Sequence, residues 1–292
     1  TPKPSSAASD VYKRQVYTTA LVEQPWDTYS ADDHATWSTL YQRQRELLVG
    51  RACQEFLDAQ DEMGMSAHMI PRFDQLNEVL GAATGWALVG VEGLLPELDF
   101  FDHLANRRFP VTWWIRRPDQ IDYIAEPDLF HDLFGHVPLL MNPVFADYME
   151  AYGRGGVKAH AIGPDALQNL TRLYWYTVEF GLIDTPDGLR IYGAGIVSSK
   201  GESLYSLESP APNRIGFDLQ RIMRTKYRID TFQKTYFVID SFEQLMQATS
   251  PDFTPIYAAL ADQAHLPAGE VQGDDRVFQK GTGEGWADGG DV

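Results

Sequence analysis

The chain has 292 residues, with 41 acidic against 24 basic side chains, a formal net charge of −17, 44% hydrophobic residues and 22% charged ones. That length carries one large domain or two small ones around a sizeable core, and the balance is that of an ordinary globular protein. So acidic a surface repels phosphate backbones and excludes generalised nucleic-acid binding.

Residues 1–24 are rich in Ser, Ala, Pro and Thr without a period and read as a disordered tail. Ser30 followed by Asp33 reads as a helix N-cap with acids in its first turn. Trp37, Leu40, Tyr41, Leu47 and Leu48 then recur at helical spacing, which predicts one long amphipathic helix punctuated by Gly64 and Pro71. The lone cysteine, Cys53, falls within it. It excludes an internal disulfide framework and reads as a small core residue. A short helix is expected over 73–80. Residues 86–91 and 109–115 are β-branched and aromatic and read as short strands, with helix over 96–107 between them. Helices are expected over 128–140, 142–152 and 164–180, a strand over 189–192, helix again after Ser203, a strand over 232–240 and a helix over 241–248. Residues 266–292 hold many glycines and acids and read as a flexible tail. Helix dominates and strands are few and short. The expected fold is mainly α: a single helical catalytic domain over 25–265, not a doubly wound sheet. No apolar run of about 18 residues predicts a membrane span, and no apolar signal core opens the chain. The expectation is a cytoplasmic protein.

The segment Glu126-Pro-Asp-Leu-Phe-His-Asp-Leu-Phe-Gly-His-Val-Pro138 concentrates the chemistry. Its histidines, His131 and His136, are five apart, and at ~100° per residue an α-helix sets them about 140° apart. They share a metal only if the ion lies off the helix end, or if Gly135 and Pro138 distort the helix. A third ligand is available in Glu179, which stands among aromatic and β-branched residues, where an unpaired carboxylate is costly to bury. Two imidazoles and a carboxylate form the facial triad of non-haem Fe(II), but a zinc hydrolase uses similar ligands, and ligand types alone do not separate the two. The flanking Phe130, Phe134, Tyr174, Trp175, Tyr176 and Phe180 suit a flat apolar substrate and a site that excludes water. Arg116 and Arg117 precede the histidines, and a guanidinium holds a carboxylate in a bidentate pair.

This histidine segment, together with Gly93-Leu-Leu-Pro, Phe109-Pro-Val-Thr, Tyr174-Trp-Tyr-Thr-Val-Glu-Phe-Gly181 and Tyr192-Gly-Ala-Gly-Ile-Val-Ser-Ser199, resembles the aromatic amino-acid hydroxylases over about residues 37–253. The resemblance implies a mostly helical catalytic domain in which His131, His136 and Glu179 bind Fe(II). It implies a tetrahydrobiopterin or related cofactor, O2 as co-substrate and an aromatic amino acid as substrate, with phenylalanine expected ahead of tryptophan and tyrosine. Matching positions place Arg116 and Ser198 at the substrate carboxylate, and Pro127, His131, Trp175 and Phe180 near its ring. They place Phe100, Gly93 and Leu95 at the pterin, Tyr174 close to the iron, and Glu202 in the substrate-side network. Asp132 stands where animal members carry Glu near the pterin, and Ile124 where they carry Thr. No room remains for the animal members' regulatory domain or tetramerisation helix, so a monomer is expected.

Overall fold

The computed structural model describes residues 20–124, 126–286 and 291–292. Of the expected amino-terminal tail, residues 1–19 lie outside the described residues. Leu21–Val22 form a strand, β1, which runs antiparallel to β2 (Ala87–Val91). Parallel to β2 on its other side lies β3 (Arg108–Thr112), and the helix Glu97–Ala105 connects them. The second sheet runs in the order β5 (Gly188–Ile191), β4 (Leu182–Thr185), β7 (Thr235–Ile239), β6 (Asn213–Gly216), β8 (Val277–Gln279). It mixes parallel and antiparallel pairs and is not doubly wound. Strands at 87–91, 108–112, 188–191 and 235–239 meet the expectation. The unexpected ones at 182–185, 213–216 and 277–279 are three or four residues long, too short for alternation to show in sequence.

The helices follow local signals closely. Ser30 Oγ accepts the Asp33 amide at 3.2 Å and Asp33 Oδ2 accepts the Ser30 amide at 2.8 Å. This capping box satisfies two of the orphan donors of the helix Ala31–Leu48. That helix stops well before Gly64, because Gly50 adopts φ 71° and turns the chain, and helix restarts at Gln54–Glu62. Cys53 N-caps this second piece. It is fully buried, and burial pushes its thiol up to about 12, as befits a core residue rather than a nucleophile. Asn142 Oδ1 accepts the Val144 and Phe145 amides at 3.0 and 3.1 Å, with Pro143 at the first helical position. The helix Pro143–Ile162 crosses the helix Glu97–Ala105 at close range. A Cβ on Gly153 would collide with Leu104 and Ala105, and one on Gly156 with the Phe101 ring. Trp37, Phe56, Phe130, Phe134, Tyr148, Tyr176 and Phe237 sit in one continuous core behind the histidine segment.

The segment 266–292 corrects an expectation. Its glycines and acids predict a flexible tail, yet among its described residues β8 closes the edge of the second sheet against β6. Trp286 lies over Gly269 and Gly283. The Val292 and Tyr227 backbones exchange hydrogen bonds of 2.9 and 3.0 Å, and Asp291 Oδ1 meets Lys234 Nζ at 3.1 Å. Two of its glycines serve close approach: Gly269 lies under the Trp286 ring, and Gly281 lies flush on Ala211–Asn213, where any Cβ would strike the Ala211 carbonyl.

Candidate metal centre

The spacing problem of the two histidines is solved by the backbone. His131–His136 form a π-helical turn, in which hydrogen bonds reach five residues ahead, and the Val137 amide bonds the Asp132 carbonyl at 3.3 Å. In such a wider turn residues five apart come to lie on one side of the helix, so both imidazoles point to one place. The third candidate ligand closes a second such turn, Trp175–Glu179, whose Phe180 amide reaches the Trp175 carbonyl at 2.9 Å.

The three side chains converge. His131 Nε2 and His136 Nε2 are 3.1 Å apart, His136 Nε2 lies 3.1 Å from Glu179 Oε1, and His131 Nε2 lies 3.7 Å from Glu179 Oε2. Ligands about 2.0–2.2 Å from one ion and at right angles to one another are about 3 Å apart, so this donor set fits a single metal ion with one face left open. Ser198 Oγ donates to the Ala194 carbonyl at 2.7 Å and faces His131 Nδ1 at 3.0 Å. With its proton so used, the hydroxyl accepts Nδ1–H, which leaves the Nε2 lone pair toward the ion. Burial pulls His131 down to about 4, so its imidazole is neutral at pH 7, the form a metal ion would need. Burial acts against the charged forms of His136 and Glu179 as well. The carboxylate facing His136 nevertheless holds that imidazole above its usual range, and the two imidazoles hold Glu179 below its own.

Asp132 also carries a carboxylate close to the two histidines. Its Oδ2 is engaged by the Thr112 amide at 2.7 Å, and burial pushes the acid up to about 7. Glu179 has both the shorter distances and the ionised state, and is the better candidate for a third ligand.

Glycines lock the ligand-bearing segments together. A Cβ on Gly193 would collide with the Glu179 carbonyl, one on Gly195 would stand 2.8 Å from the Phe180 ring and 3.1 Å from Glu179 Oε2, and one on Gly135 would lie 2.9 Å from the Ala194 carbonyl. The Tyr192–Ser199 motif therefore touches both π-helical turns at once.

Arg116 is buried and not the surface charge its neighbour Arg117 is. Its Nε and Nη2 meet Asp128 Oδ2 and Oδ1, both at 2.8 Å. Asp128, with no exposed surface, also accepts the Arg116 amide at 2.9 Å and the His131 amide at 3.1 Å. One carboxylate thus orients the arginine and caps the turn that bears the first ligand. On one side of the site, the Tyr174 ring lies 6.1 Å from that of His136 and 5.8 Å from that of Phe100. Gly93 and Leu95 belong to the loop from β2 into the Phe100 helix. On another side, Trp175 packs against Phe180 at 4.8 Å and stacks on Tyr227 at 4.4 Å. Pro127 is exposed, immediately before Asp128.

Residues 19–254 match the family model described as biopterin-dependent aromatic amino acid hydroxylase. The chain belongs to this family. A phenylalanine-4-hydroxylase of Chromobacterium violaceum is 66% identical over 269 residues, 92% of this chain and 90% of the relative. A structure of the phenylalanine hydroxylase from that organism with iron and phenylalanine superposes with a TM-score of 0.85 at 61% identity, covering 94% of this chain and 100% of the other. Another, with iron(III) and 7,8-dihydrobiopterin, superposes with a TM-score of 0.86 at 60% identity, covering 95% and 100%.

For a biopterin-dependent hydroxylase the sequence reading overlooked several residues. Asp128 could have been found by asking which acid neutralises a buried arginine. Gln233, Tyr227 and Tyr236 had no such signal. Glu202 hydrogen-bonds none of the three candidate ligands among the described residues. Its Oε1 accepts the Tyr236 hydroxyl and, at 3.2 Å, the Gln233 amide. Burial raises it from 4.5 to about 7, against the Tyr236 and Gln233 hydrogen bonds that lower it. Between those two values the folded chain holds a proton that the unfolded chain releases. This stability is therefore full below about pH 4.5 and is lost as pH rises through 7. Glu202→Gln, neutral at every pH, is expected to match the parent at about pH 4 and to exceed it at about pH 8 by on the order of 3 kcal/mol in urea unfolding. An equal difference at both pH values would refute the protonated state.

Proposed function

We propose that this chain is an iron-dependent, tetrahydropterin-dependent monooxygenase that hydroxylates L-phenylalanine to L-tyrosine with dioxygen. The observation that carries the reading is the convergence of His131, His136 and Glu179 at 3.1–3.7 Å in a member of this family. These three are the iron ligands. Iron with the reduced pterin supplies the activation of dioxygen.

The residues do the rest by placement. His131, His136 and Glu179 would hold the ion from one side, which would leave positions for small molecules on the other. The guanidinium of Arg116, held flat by Asp128, takes the substrate carboxylate through its remaining donors. Ser198 supports that end of the site and fixes the His131 tautomer. Trp175, Phe180 and Pro127 enclose the substrate ring and turn its para carbon toward the ion. Phe100, with Gly93 and Leu95 before it, forms the pterin side, with Asp132 and Tyr174 between pterin and iron. Aromatic walls keep water from the reacting centre, and no side chain is required as a strong base. Glu202 contributes through Gln233 and not by contact with the reacting atoms.

The catalytic unit is read as a mainly helical fold that includes β1 and the strand-bearing carboxy-terminal segment, acting as a cytoplasmic monomer. The single buried cysteine accords with a reducing compartment. Among the described residues no helix is long and apolar enough to cross a membrane.

Fe(II)-loaded protein mixed with phenylalanine, a tetrahydropterin and air is expected to form tyrosine in step with pterin oxidation, read by chromatography. Oxidation of pterin without tyrosine would move the substrate to another aromatic ring, and competition among phenylalanine, tryptophan and tyrosine would name it.

A further inference from the structure

We propose that Gln233 is a positioning residue for the aromatic side of the substrate pocket, acting through the indole of Trp175. The inference rests on the reading that Trp175 lines that pocket.

Gln233 is 2% exposed, and both polar atoms of its side chain are hydrogen-bonded. Its Oε1 accepts the Trp175 Nε1–H at 3.0 Å, and its Nε2 donates to the Arg228 carbonyl at 2.9 Å. Its amide donates to Glu202 at 3.2 Å. The side-chain orientation follows from these partners: a flipped amide would set NH2 against the indole N–H and oxygen against a carbonyl. An indole has a single donor, so this hydrogen bond fixes the rotation of the ring within its own plane. The stack on Tyr227, 4.4 Å away and tilted by 24°, fixes the plane itself.

Both restraints come from one stretch, residues 226–234, which has no helix or strand of its own. It is held from outside. The Lys226 amide donates to the Leu266 carbonyl at 2.9 Å, Tyr227 pairs with Val292, and Lys234 meets Asp291. The carboxy-terminal segment thus straps down the loop that orients Trp175. Trp175 in turn opens the π-helical turn that ends on Glu179. A buried indole N–H needs only some acceptor. Here the acceptor is a side chain whose Nε2 is held by the Arg228 and Thr231 carbonyls and whose backbone amide is held by Glu202, which is what orientation requires and satisfaction alone does not.

The test is a double-mutant cycle in the full, Fe(II)-loaded chain: Trp175→Phe, Gln233→Leu and both together, with KM and kcat for phenylalanine, iron content and melting temperature measured. Gln233→Leu is expected to raise KM about fivefold, the effect of one lost hydrogen bond, with kcat and iron content little changed. In the Trp175→Phe background, where no indole N–H exists, the same change is expected to leave KM unmoved. Should Gln233→Leu not fold, Gln233→Asn, which keeps the amide but withdraws it by one methylene, carries the same cycle. Effects on KM that simply add across the cycle would overturn the role of Gln233. A Trp175→Phe variant with parental KM would instead overturn the pocket reading on which it rests.

Discussion

Glu179→Ala is expected to abolish tyrosine formation and to weaken iron binding by more than about 100-fold, with the metal-free protein still folded. Changes to groups that merely support a ligand cost 10–100-fold, and a ligand itself weighs more. The physical reason is specific to this geometry. Among the described residues Glu179 is the ionised carboxylate close to the two histidine Nε2 atoms, since Asp132 is occupied by the Thr112 amide and its acid is raised to about 7. The direct measurement is thermal unfolding with and without Fe(II). A ligand that binds only the folded state raises the melting temperature, so the parent should shift on adding Fe(II) and Glu179→Ala should not. Asp132→Asn serves as the internal control and should shift like the parent. If the two variants exchanged behaviour, Asp132 would be the third ligand.

The second large effect is expected at Asp128. Asp128→Ala leaves the Arg116 guanidinium, 6% exposed, without its acid, and breaking one side of a buried pair costs about 3–5 kcal/mol. It also frees the His131 amide at the entry to the π-helical turn, worth about 1 kcal/mol as a lost cap. Urea unfolding should therefore show a loss of about 4–6 kcal/mol, with a raised KM for phenylalanine. A companion variant separates structure from binding. Arg116→Met with Asp128→Leu replaces the pair by apolar groups, an exchange that is often neutral for stability, and should recover most of the loss. If Arg116 holds the substrate carboxylate, KM stays high in that recovered protein. Recovery of KM together with stability would make the pair purely structural.

The strap at 266–292 and the relay from Trp175 to Gln233 show how far from the ligands this site is held in place. Tyr227 and Gln233 lie 52 and 58 residues along the chain from Trp175, the side chain that both meet. Their contacts exist only because β7 and β4 pair and because the carboxy-terminal segment returns to the loop.

What the sequence alone determined was whatever is encoded within a few residues. Ser30 with Asp33, and Asn142 before Pro143, announce helix starts because a side chain and the backbone donor it caps are at most three positions apart. The ligand types and the family motifs were legible for the same reason: His131, His136, Glu179 and their aromatic neighbours stand in short, dense segments. The ideal helix geometry that made His131 and His136 diverge was also correct as local physics, and it failed because the chain adopts a wider turn there. That turn is sustained by remote partners: Asp128 with Arg116 at its entry, and Ala194 pressed against Gly135 within it. The strands at 182–185, 213–216 and 277–279, the burial of Arg116 and the docking of the glycine-rich segment were likewise decided by tertiary structure. A short strand or a bare glycine run has little intrinsic preference. Its conformation is settled by the hydrogen bonds and close approaches that distant segments offer once the core has brought them together.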